Sequence, residues 1–391
     1  MTTDELFGPN IDRSKSDSIK WKRYKDKDVL PMWVADMDFQ VAPSILEAIK
    51  QRVDHGVLGY GSDNSELREL IVKHCQRHYD WNIEPEWIVF TPGVVKGLNI
   101  ARAMSALKGK PAAITALPVY PHLMRQAPLL ETDNYTFQVK PCGDSWSINL
   151  PAMKQALSDD VGVMLLCNPH NPIGKVYSGD ELQEIADVCI KHDLIICSDD
   201  IHCDLILNGK KHIPIASLND EICKRSITLM APSKTFNVPG LDMAFAIISD
   251  IKMRTEYSKL MDGLVGHVNI LGMAAATAAF KYAQPWRLEL IEYLKHNHQL
   301  ILDKVSSLEG ISMRPCEATY LAWLDVSALQ LDHPQKFFEK HGVGMSAGSE
   351  FGDNNYVRLN FGCQRPVLME ALRRIEKAVT LRLSELKSCD I

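Results

Sequence analysis

The sequence predicts an α/β protein with a large domain built on a mainly parallel sheet and a smaller α/β domain. From about position 88, short apolar runs alternate with amphipathic helical stretches, which is the pattern of βαβ units. The chain has 391 residues, roughly two to three times the usual size of one domain. Near Pro285 the pattern changes to a long polar-faced helix. We therefore expect the small domain to occupy residues 286–391.

The elements of the large domain follow from short apolar runs, because strands that are buried on both faces are apolar throughout. Five such runs predict strands over Ala112 to Leu117, Val161 to Cys167, Leu194 to Ser198, Ile227 to Met230 and Met243 to Ser249. Amphipathic stretches predict helices at Val94 to Leu107 and Asp180 to His192, which should cover the sheet. Before them, Met32 to Phe39 predicts a loop, and a helical stretch follows from Ser44.

Composition and charge favour a soluble protein with a small-molecule partner. Apolar residues make up 46% of the chain and charged residues 24%, and the net charge of −6 comes from 49 acidic and 43 basic residues that are interspersed. No basic patch indicates nucleic acid or an anionic membrane. No signal peptide or apolar run of about 20 residues is present, so we expect a cytoplasmic location. The ten cysteines lack CxxC pairs, which predicts buried, reduced thiols.

Four segments carry residues suited to chemistry. They are TPGVV at 91–95, LLCNPHNPIGKV at 165–176, CSDDIHCDL at 197–205 and APSKTFNVPGLD at 231–242. Three of them lie at the carboxyl ends of predicted strands. Ligands bind at that edge of an open α/β sheet, so we expect these segments to converge on one pocket.

Taken singly, each segment also has an ordinary structural interpretation. Residues 91–93 open a helix whose free N–H groups suit a phosphate, but any Pro-Gly turn before a helix has this pattern. Lys234 follows a strand beside apolar residues and is a candidate nucleophile, although most lysines are exposed. Asp199 at a strand end would be half buried and would require a cationic partner. It could equally cap a turn, as could Asp200.

Together, the segments resemble a known family. Asn171, Asp199 and Lys234 are spaced 28 and 35 residues apart, each after its own strand. This set resembles the fold-type I pyridoxal-phosphate (PLP) enzymes, the aspartate aminotransferase superfamily, in the branch of the MalY/PatB-like cystathionine β-lyases. The motifs that carry the resemblance are NPHNPIG, SDDIHCDL, SKTFN, WVADMDF, VLGYG at 57–61, PVYPH at 118–122 and YVRLNFGCQRP at 356–366.

The resemblance implies the architecture in more detail. It implies a seven-stranded, mainly parallel sheet sandwiched by helices in a PLP-binding domain over residues 50–285. Residues 1–49 would join the small domain, which both termini would then build. The resemblance also implies a homodimer with shared active sites.

The resemblance implies a role for each residue that matches a motif. Lys234 would bind PLP as a Schiff base and then act as the base at the substrate Cα. Asp199 would pair with the pyridine nitrogen, Asn171 would donate to the ring 3'-oxygen, and His202 would lie near that oxygen.

Further contacts follow from the same resemblance. Tyr120 would stack on the pyridine ring and count with Lys234 and Asp199 as catalytic. Tyr60 would reach the phosphate of the neighbouring subunit, and Arg358 would bind the substrate α-carboxylate through a bidentate pair. Backbone amides would bind the cofactor phosphate at Gly93, Val94 and Val95.

Two positions depart from the family pattern. Residue 231 is alanine where many members place a phosphate-binding serine, so Ser233 and the loop at Gly93 would carry more of that binding. Asp200 stands where the β-lyase branch usually has glutamate, which affects the expected substrate fit.

The resemblance favours a carbon-sulfur β-lyase that releases a thiol, pyruvate and ammonia. Homocysteine would leave from cystathionine and sulfide from cysteine. An aminotransferase of amino acids is the alternative within enzymes, because the motifs around the cofactor are shared by both reactions. A regulatory, partner-binding protein that keeps the fold is the alternative from another class.

Other signals were weaker. His74 and His78 have metal-ligand spacing, but without a nearby third ligand they predict surface histidines. Cys203, between His202 and Asp204, predicts a packed thiol because consecutive side chains point in different directions. No metal site is expected, and no GxGxxG or GxxxxGK[ST] loop indicates a dinucleotide or a nucleoside triphosphate.

Overall fold

The computed structural model describes residues 3–9, 11–125 and 134–389. Its strands are β1 Leu30–Pro31, β2 Ile88–Thr91, β3 Ala112–Leu117, β4 Asn134–Gln138, β5 Lys140–Cys142, β6 Ser145–Ser147, β7 Val161–Cys167, β8 Ile195–Asp199, β9 Ser226–Met230, β10 Ala244–Ile247, β11 Ser312–Met313, β12 Leu321–Asp325, β13 Val343–Gly344, β14 Ser346–Ala347 and β15 Tyr356–Asn360. Its helices are α1 Thr3–Phe7, α2 Ile19–Lys22, α3 Pro43–Asp54, α4 Ser65–Tyr79, α5 Val94–Leu107, α6 Pro121–Met124, α7 Leu150–Ala156, α8 Gly179–Lys191, α9 Asp220–Lys224, α10 Pro232–Thr235, α11 Ile251–Leu264, α12 Ile270–Tyr282, α13 Gln284–Ser306, α14 Pro334–Lys340 and α15 Arg365–Cys389.

A seven-stranded sheet with the order β2-β10-β9-β8-β7-β3-β4 lies at the centre of the large domain. The pairs from β9 across to β4 are parallel, whereas β10 is antiparallel to both of its neighbours. The predicted α/β fold with a seven-stranded, mainly parallel sheet is therefore confirmed. Because β7, β8 and β9 run in the same direction, the segments that follow them emerge at one edge.

Helices cover both faces of this sheet. On one face, Leu182 and Ile185 of α8 are fully buried in a core cluster with residues of β3 and β7. On the other face, Leu98 and Ala101 of α5 are fully buried against Leu229 of β9. Apolar faces on both sides explain why the central strands are apolar throughout.

Helix α5 lies unusually close to the sheet because Gly97 faces β9. A Cβ atom built on Gly97 would lie 2.7 Å from Leu229 Cδ2 and 2.8 Å from Tyr257 Oη. Those distances leave no space for a side chain. The N-terminus of α5 and the segment that follows β9 are held together by this packing.

Helix α8 starts at a capping box. The Ser178 hydroxyl accepts from Glu181 N at 3.2 Å, and the Glu181 carboxylate accepts from Ser178 N at 3.0 Å. These two bonds satisfy N–H groups that a helix start leaves without partners. The position of α8 between β7 and β8 is thus specified locally.

A second, antiparallel sheet with the order β11-β12-β15-β14 belongs to the C-terminal part of the chain. The N-terminal segment packs against β15 of this sheet, since Asn360 N donates to Met32 O at 2.9 Å and Met32 is fully buried in the same core cluster as Leu359. Strand β1 separately forms a two-stranded parallel sheet with β13. The boundaries 1–49, 50–285 and 286–391 stay predictions.

Two further predictions concerned the state of the cysteine thiols and the presence of membrane-spanning helices. The cysteines whose side chains are described are free thiols, and all of them except Cys142 and Cys223 are buried. Within the described ranges, no helix is both long and apolar enough to span a bilayer.

Candidate active site

A cavity of about 490 Å³ opens at the carboxyl edge of the central sheet. The ends of β7, β8 and β9 and the start of α5 surround it. Nine residues singled out from the sequence line it, namely Gly93, Val94, Val95, Tyr120, Asn171, Asp199, His202, Ser233 and Lys234. The four segments predicted to converge on one pocket therefore do so.

Lys234 lies in α10, the short helix that follows β9. Its Nζ donates a hydrogen bond to the carbonyl oxygen of Ala35 at 2.6 Å. Burial, followed by the positive charge of Arg358, lowers the pKa of Lys234 to about 8. A larger fraction of this amine is therefore neutral near pH 7 than for an ordinary lysine.

Asp199 ends β8 and is 3% exposed. Its Oδ1 accepts from Ile201 N at 3.2 Å, and no lysine, arginine or histidine among the described residues forms an ion pair with it. Burial, reinforced by the nearby Asp200, raises the pKa of Asp199 to about 7. This carboxyl group thus lacks the cationic partner that its sequence position led us to expect.

Asp200 points into a different environment from Asp199. Its carboxylate accepts from the Ser198 hydroxyl and from His212 Nε2, the latter at 2.7 Å. Asp200 is fully buried and does not line the cavity. Of the two adjacent aspartates, only Asp199 lines the cavity.

Arg358 lies on β15, behind the cavity wall, and is 5% exposed. Its Nη1 donates to Asn171 Oδ1 at 3.1 Å, and its Nη2 donates to Trp33 O at 2.9 Å and to Ser346 Oγ at 3.3 Å. Burial lowers the pKa of Arg358 to about 10. No carboxylate of a described residue pairs with this guanidinium, so it is available to an anionic ligand.

His202 and Tyr120 stay uncharged in the cavity. Burial and the charges of Lys234 and Arg358 lower the pKa of His202 to about 3, and its buried Nδ1 has no hydrogen-bond partner among the described residues. Burial, followed by the charge of Asp199, raises the pKa of Tyr120 to about 12. Both side chains therefore offer neutral rings to a ligand.

The start of α5 forms another part of the cavity wall. Gly93 precedes this helix with a φ of 104°, a conformation that favours glycine, and no side chain caps the helix. The first amides of α5 are consequently open to an anion. Ser233 also lines this space and is 9% exposed, and its hydroxyl makes no hydrogen bond to a described residue.

These features fit pyridoxal phosphate. The buried carboxyl group of Asp199 lacks a cation, which a protonated pyridine nitrogen would supply. The amine of Lys234, with its lowered pKa, suits an aldehyde, and the open start of α5 suits a phosphate. The donors are therefore of the right chemical types for each part of the cofactor.

Tyr60 is the one predicted cofactor contact that is remote from this cavity. Its side chain is fully exposed and borders a second, open groove together with Arg68 and His267. The structure therefore gives Tyr60 no contact with the cavity of its own chain.

The surface histidine prediction is wrong for His74. Its ring nitrogen contacts Asp204 Oδ1 at 3.0 Å, and Tyr79 donates to the same oxygen at 2.8 Å. Arg287 completes this buried cluster. The reason is that α4 packs this face on the segment after β8, which sequence spacing alone does not reveal. Cys203 is packed in the same region, as predicted.

Several cavity residues were not singled out from the sequence. Ala35 contributes a carbonyl group from a distant loop, and Lys96, Asn99, His122 and Asp242 also line the space. Lys96 and Asn99 lie in the first two turns after Gly93, so their spacing could have indicated them. Ala35 and Asp242 reach the site only through tertiary folding.

Comparisons with known proteins agree with this geometry. The family model for aminotransferase class I and II matches residues 27–375. Cystathionine beta-lyase PatB of Bacillus subtilis is 34% identical, and the alignment covers 96% of this chain and 100% of PatB. The crystal structure of OvoB is 42% identical with a TM-score of 0.93, covering 96% of this chain and 99% of OvoB. Cystalysin from Treponema denticola, whose crystal structure contains pyridoxal 5'-phosphate, is 29% identical with a TM-score of 0.89, covering 95% and 98%.

Proposed function

Because the chain belongs to the aminotransferase class I and II family, we propose that it is a pyridoxal-phosphate-dependent carbon-sulfur β-lyase. Its substrate is an α-amino acid with sulfur on Cβ. The observation that carries the proposal is that Lys234 and Asp199 line one cavity, with the unpaired guanidinium of Arg358 directly behind Asn171. PatB is named a cystathionine beta-lyase, so L-cystathionine is the first substrate to test.

The cofactor and the chain have separate tasks. When bound, pyridoxal phosphate supplies a ring that withdraws electrons from the substrate Cα. Asp199 would keep a proton on the ring nitrogen, since a carboxylate buried without a cation is stabilised by one. Asn171 would donate to the ring 3'-oxygen through its amide nitrogen, because its amide oxygen already accepts from Arg358. His202 would lie near the same oxygen, and Tyr120 would pack on the ring.

The substrate is oriented by its α-carboxylate. Arg358 would bind this group with two parallel N–H donors, a geometry in which arginine surpasses lysine, once its Nη2 exchanges a bond to Trp33 O or Ser346 Oγ for the ligand. Lys234 then removes the proton from Cα. Its pKa of about 8 makes the amine a competent base near neutral pH.

Elimination follows from loss of the Cα proton. The Cβ–S bond breaks and the electron pair leaves with sulfur, so the thiolate departs and later takes a proton. Water completes the reaction by releasing pyruvate and ammonia. For L-cystathionine the thiol is homocysteine, a product that would place the enzyme in methionine biosynthesis.

The test is to incubate the purified protein with L-cystathionine, adding no 2-oxo acid, and to follow pyruvate and free thiol. We expect equimolar release over many turnovers, and the Lys234→Ala variant should release neither. Visible absorbance of the bound cofactor, measured on both proteins, reports whether the protein was loaded.

Two outcomes would contradict the lyase assignment. If no thiol were released, and the 2-oxo acid of the substrate formed at about one equivalent per subunit and increased further only when another 2-oxo acid was added, the protein would be an aminotransferase. Absence of any reaction, with stable partner proteins captured by the same purified chain, would favour the regulatory, partner-binding role.

We propose further that the protein acts as a homodimer. Val57 is 64% exposed and Leu58 is 60% exposed, and Tyr60 follows them on the same segment. Apolar side chains this exposed are typical of interfaces. Tyr60 would reach the cofactor phosphate of the neighbouring subunit, and the cofactor site would then be shared.

The remaining expectations belong to this proposal as well. We propose a cytoplasmic location, a PLP-binding domain at 50–285 and a small domain at 286–391 joined by residues 1–49. The pairing of β1 with β13 supports the last assignment. Gly93, Val94, Val95 and Ser233 would bind the cofactor phosphate.

A further inference from the structure

We propose that Lys96 is an additional ligand of the cofactor phosphate, and that Asp242 holds the Lys96 ammonium group beside the phosphate site. This role rests on the cofactor proposed above, but not on whether the reaction is elimination or aminotransfer. Lys96 lies outside the segments singled out from the sequence, and Asp242 ends the segment 231–242 but lies outside its motif SKTFN.

The position of Lys96 follows from helix geometry. It is the third residue of α5, a helix of 14 residues, and long side chains on a helix lean towards its N-terminus. Its Nζ would lie 3.4 Å from a Cβ atom built on Gly93. The ammonium group therefore lies beside the open amides at the start of α5.

Asp242 faces the same point from the segment after α10. Its Oδ1 accepts from Lys96 Nζ at 3.2 Å and would lie 3.5 Å from the same Cβ position on Gly93. Both side chains line the cavity. A negatively charged group is thus placed where a phosphate, which carries about −1.5 to −2 charges, is expected to bind.

Charge balance then assigns the role of Lys96. Among the described residues that line the cavity, only Lys96 and Lys234 are lysines or arginines, and Lys234 is required for the aldehyde. The α5 amides and the free hydroxyl of Ser233 are uncharged donors. Lys96 is accordingly the cation available to the phosphate, whose dianion competes with the single charge of Asp242.

The alternative is a surface ion pair with no ligand. Such a pair exists near the other end of the same helix, where Lys108 contacts Glu256 at 2.7 Å. Its side chains are 50% and 47% exposed, similar to the 41% and 62% of Lys96 and Asp242. Lys108 is therefore a matched control for the loss of a lysine and its ion pair.

The experiment compares pyridoxal phosphate with pyridoxal, which carries the same aldehyde but no phosphate. Each is titrated into the full-length protein after its cofactor has been removed, and binding is followed by visible absorbance. In Lys96→Gln we expect the Kd for pyridoxal phosphate to rise about tenfold or more, since the bond lost is charge-assisted. The Kd for pyridoxal should change less than about twofold, and Lys108→Gln should leave both values unchanged.

Asp242→Asn separates a phosphate ligand from a lysine that merely neutralises Asp242. Asparagine tolerates the φ of 44° at this position. This variant should bind pyridoxal phosphate more tightly, and adding Lys96→Gln to it should still weaken binding about tenfold. The proposal is overturned if Lys96→Gln has no effect in the Asp242→Asn background, or if it changes the Kd of both ligands equally. Failure of the lyase reaction with these binding results intact would overturn only the proposed reaction.

Discussion

Asp199 is destabilising for the folded protein when no cofactor is bound. Its folded-state pKa of about 7 lies above the ordinary value of 3.8, so the folded state holds a proton that the unfolded state releases. The free energy of unfolding then falls as the pH rises from about 4 to about 7. Asp199, the proposed partner of the cofactor's pyridine nitrogen, therefore lowers the free energy of unfolding when the cofactor is absent.

A pH comparison tests this property. We expect cofactor-free wild-type protein to lose roughly 2–3 kcal/mol more than Asp199→Asn between about pH 5 and pH 8, because asparagine does not ionise. Urea unfolding at several pH values measures the difference. Asp193→Asn, at a carboxylate that is 88% exposed, serves as the control. Equal pH slopes for wild type and Asp199→Asn would contradict the burial effect.

For single residues, the sequence indicated a place in the pocket when a motif put the residue at the end of a predicted strand. Asp199 and Lys234 follow strands of one parallel sheet, so their convergence could be predicted. The contacts of Asp200 with Ser198 and His212 had no signal in the sequence. Asp242 reaches the cavity only because the fold brings it beside Gly93, and no local pattern marks such a contact.

Helix α5 positions the phosphate end of the site as a rigid unit. Gly97 lets it approach β9, the strand that leads to Lys234. A side chain at this position would push the start of α5 away from Lys234. Packing at the fourth residue of the helix therefore affects the position of its first residues.

Gly97→Ala should destabilise the protein by about 1–3 kcal/mol, because the added methyl group overpacks the contact with Leu229. It should also weaken cofactor binding, as measured by titration with pyridoxal phosphate. Gly263→Ala is the matched helical control, since a Cβ atom there meets nothing within 4 Å. That change should stabilise the protein by roughly 0.5–1 kcal/mol. Equal effects of the two substitutions would argue against the close approach.

The sequence predicted central elements better than peripheral ones. The bounds of β3, β7 and α5 agree with the predicted ranges, and those of β8 and β9 shift by one residue. Strand β4, with the sequence NYTFQ, had not been predicted. It lies at the edge of the sheet, where burial is partial and the continuous apolar run of a central strand is not required.

At the scale of the whole molecule, the proposed dimer predicts complementation between inactive subunits. Tyr60→Ala and Lys234→Ala should each reduce lyase activity strongly. If Tyr60 serves the partner's site, a hybrid dimer contains one site with both lesions and one intact site. Unfolding and refolding an equal mixture should therefore restore about a quarter of wild-type activity. Activity no higher than the average of the separate variants would indicate that Tyr60 acts within its own subunit or not at all.

The domain organisation was only partly predictable from the sequence. The change of pattern near Pro285 coincides with α13, which begins at Gln284. The attachment of the N-terminal segment to the C-terminal part of the chain involves residues more than 300 positions apart, such as Leu30 and Val343. Periodicity reports local structure, so only the family resemblance indicated this pairing.

The loop at residues 33–38 has a consequence for the order in which the protein is made. Asn360 donates to the carbonyl oxygens of Val34 and Asp36, and Arg358 donates to that of Trp33. A ribosome synthesises this loop early but these two partners late, at about 5–20 residues per second. The bonds of the loop to β15 therefore form only after that strand has emerged from the exit tunnel, whereas earlier partners such as Lys20, which donates to Asp38 at 2.6 Å, are already present. The substrate-binding side of the pocket is consequently completed only near the end of translation.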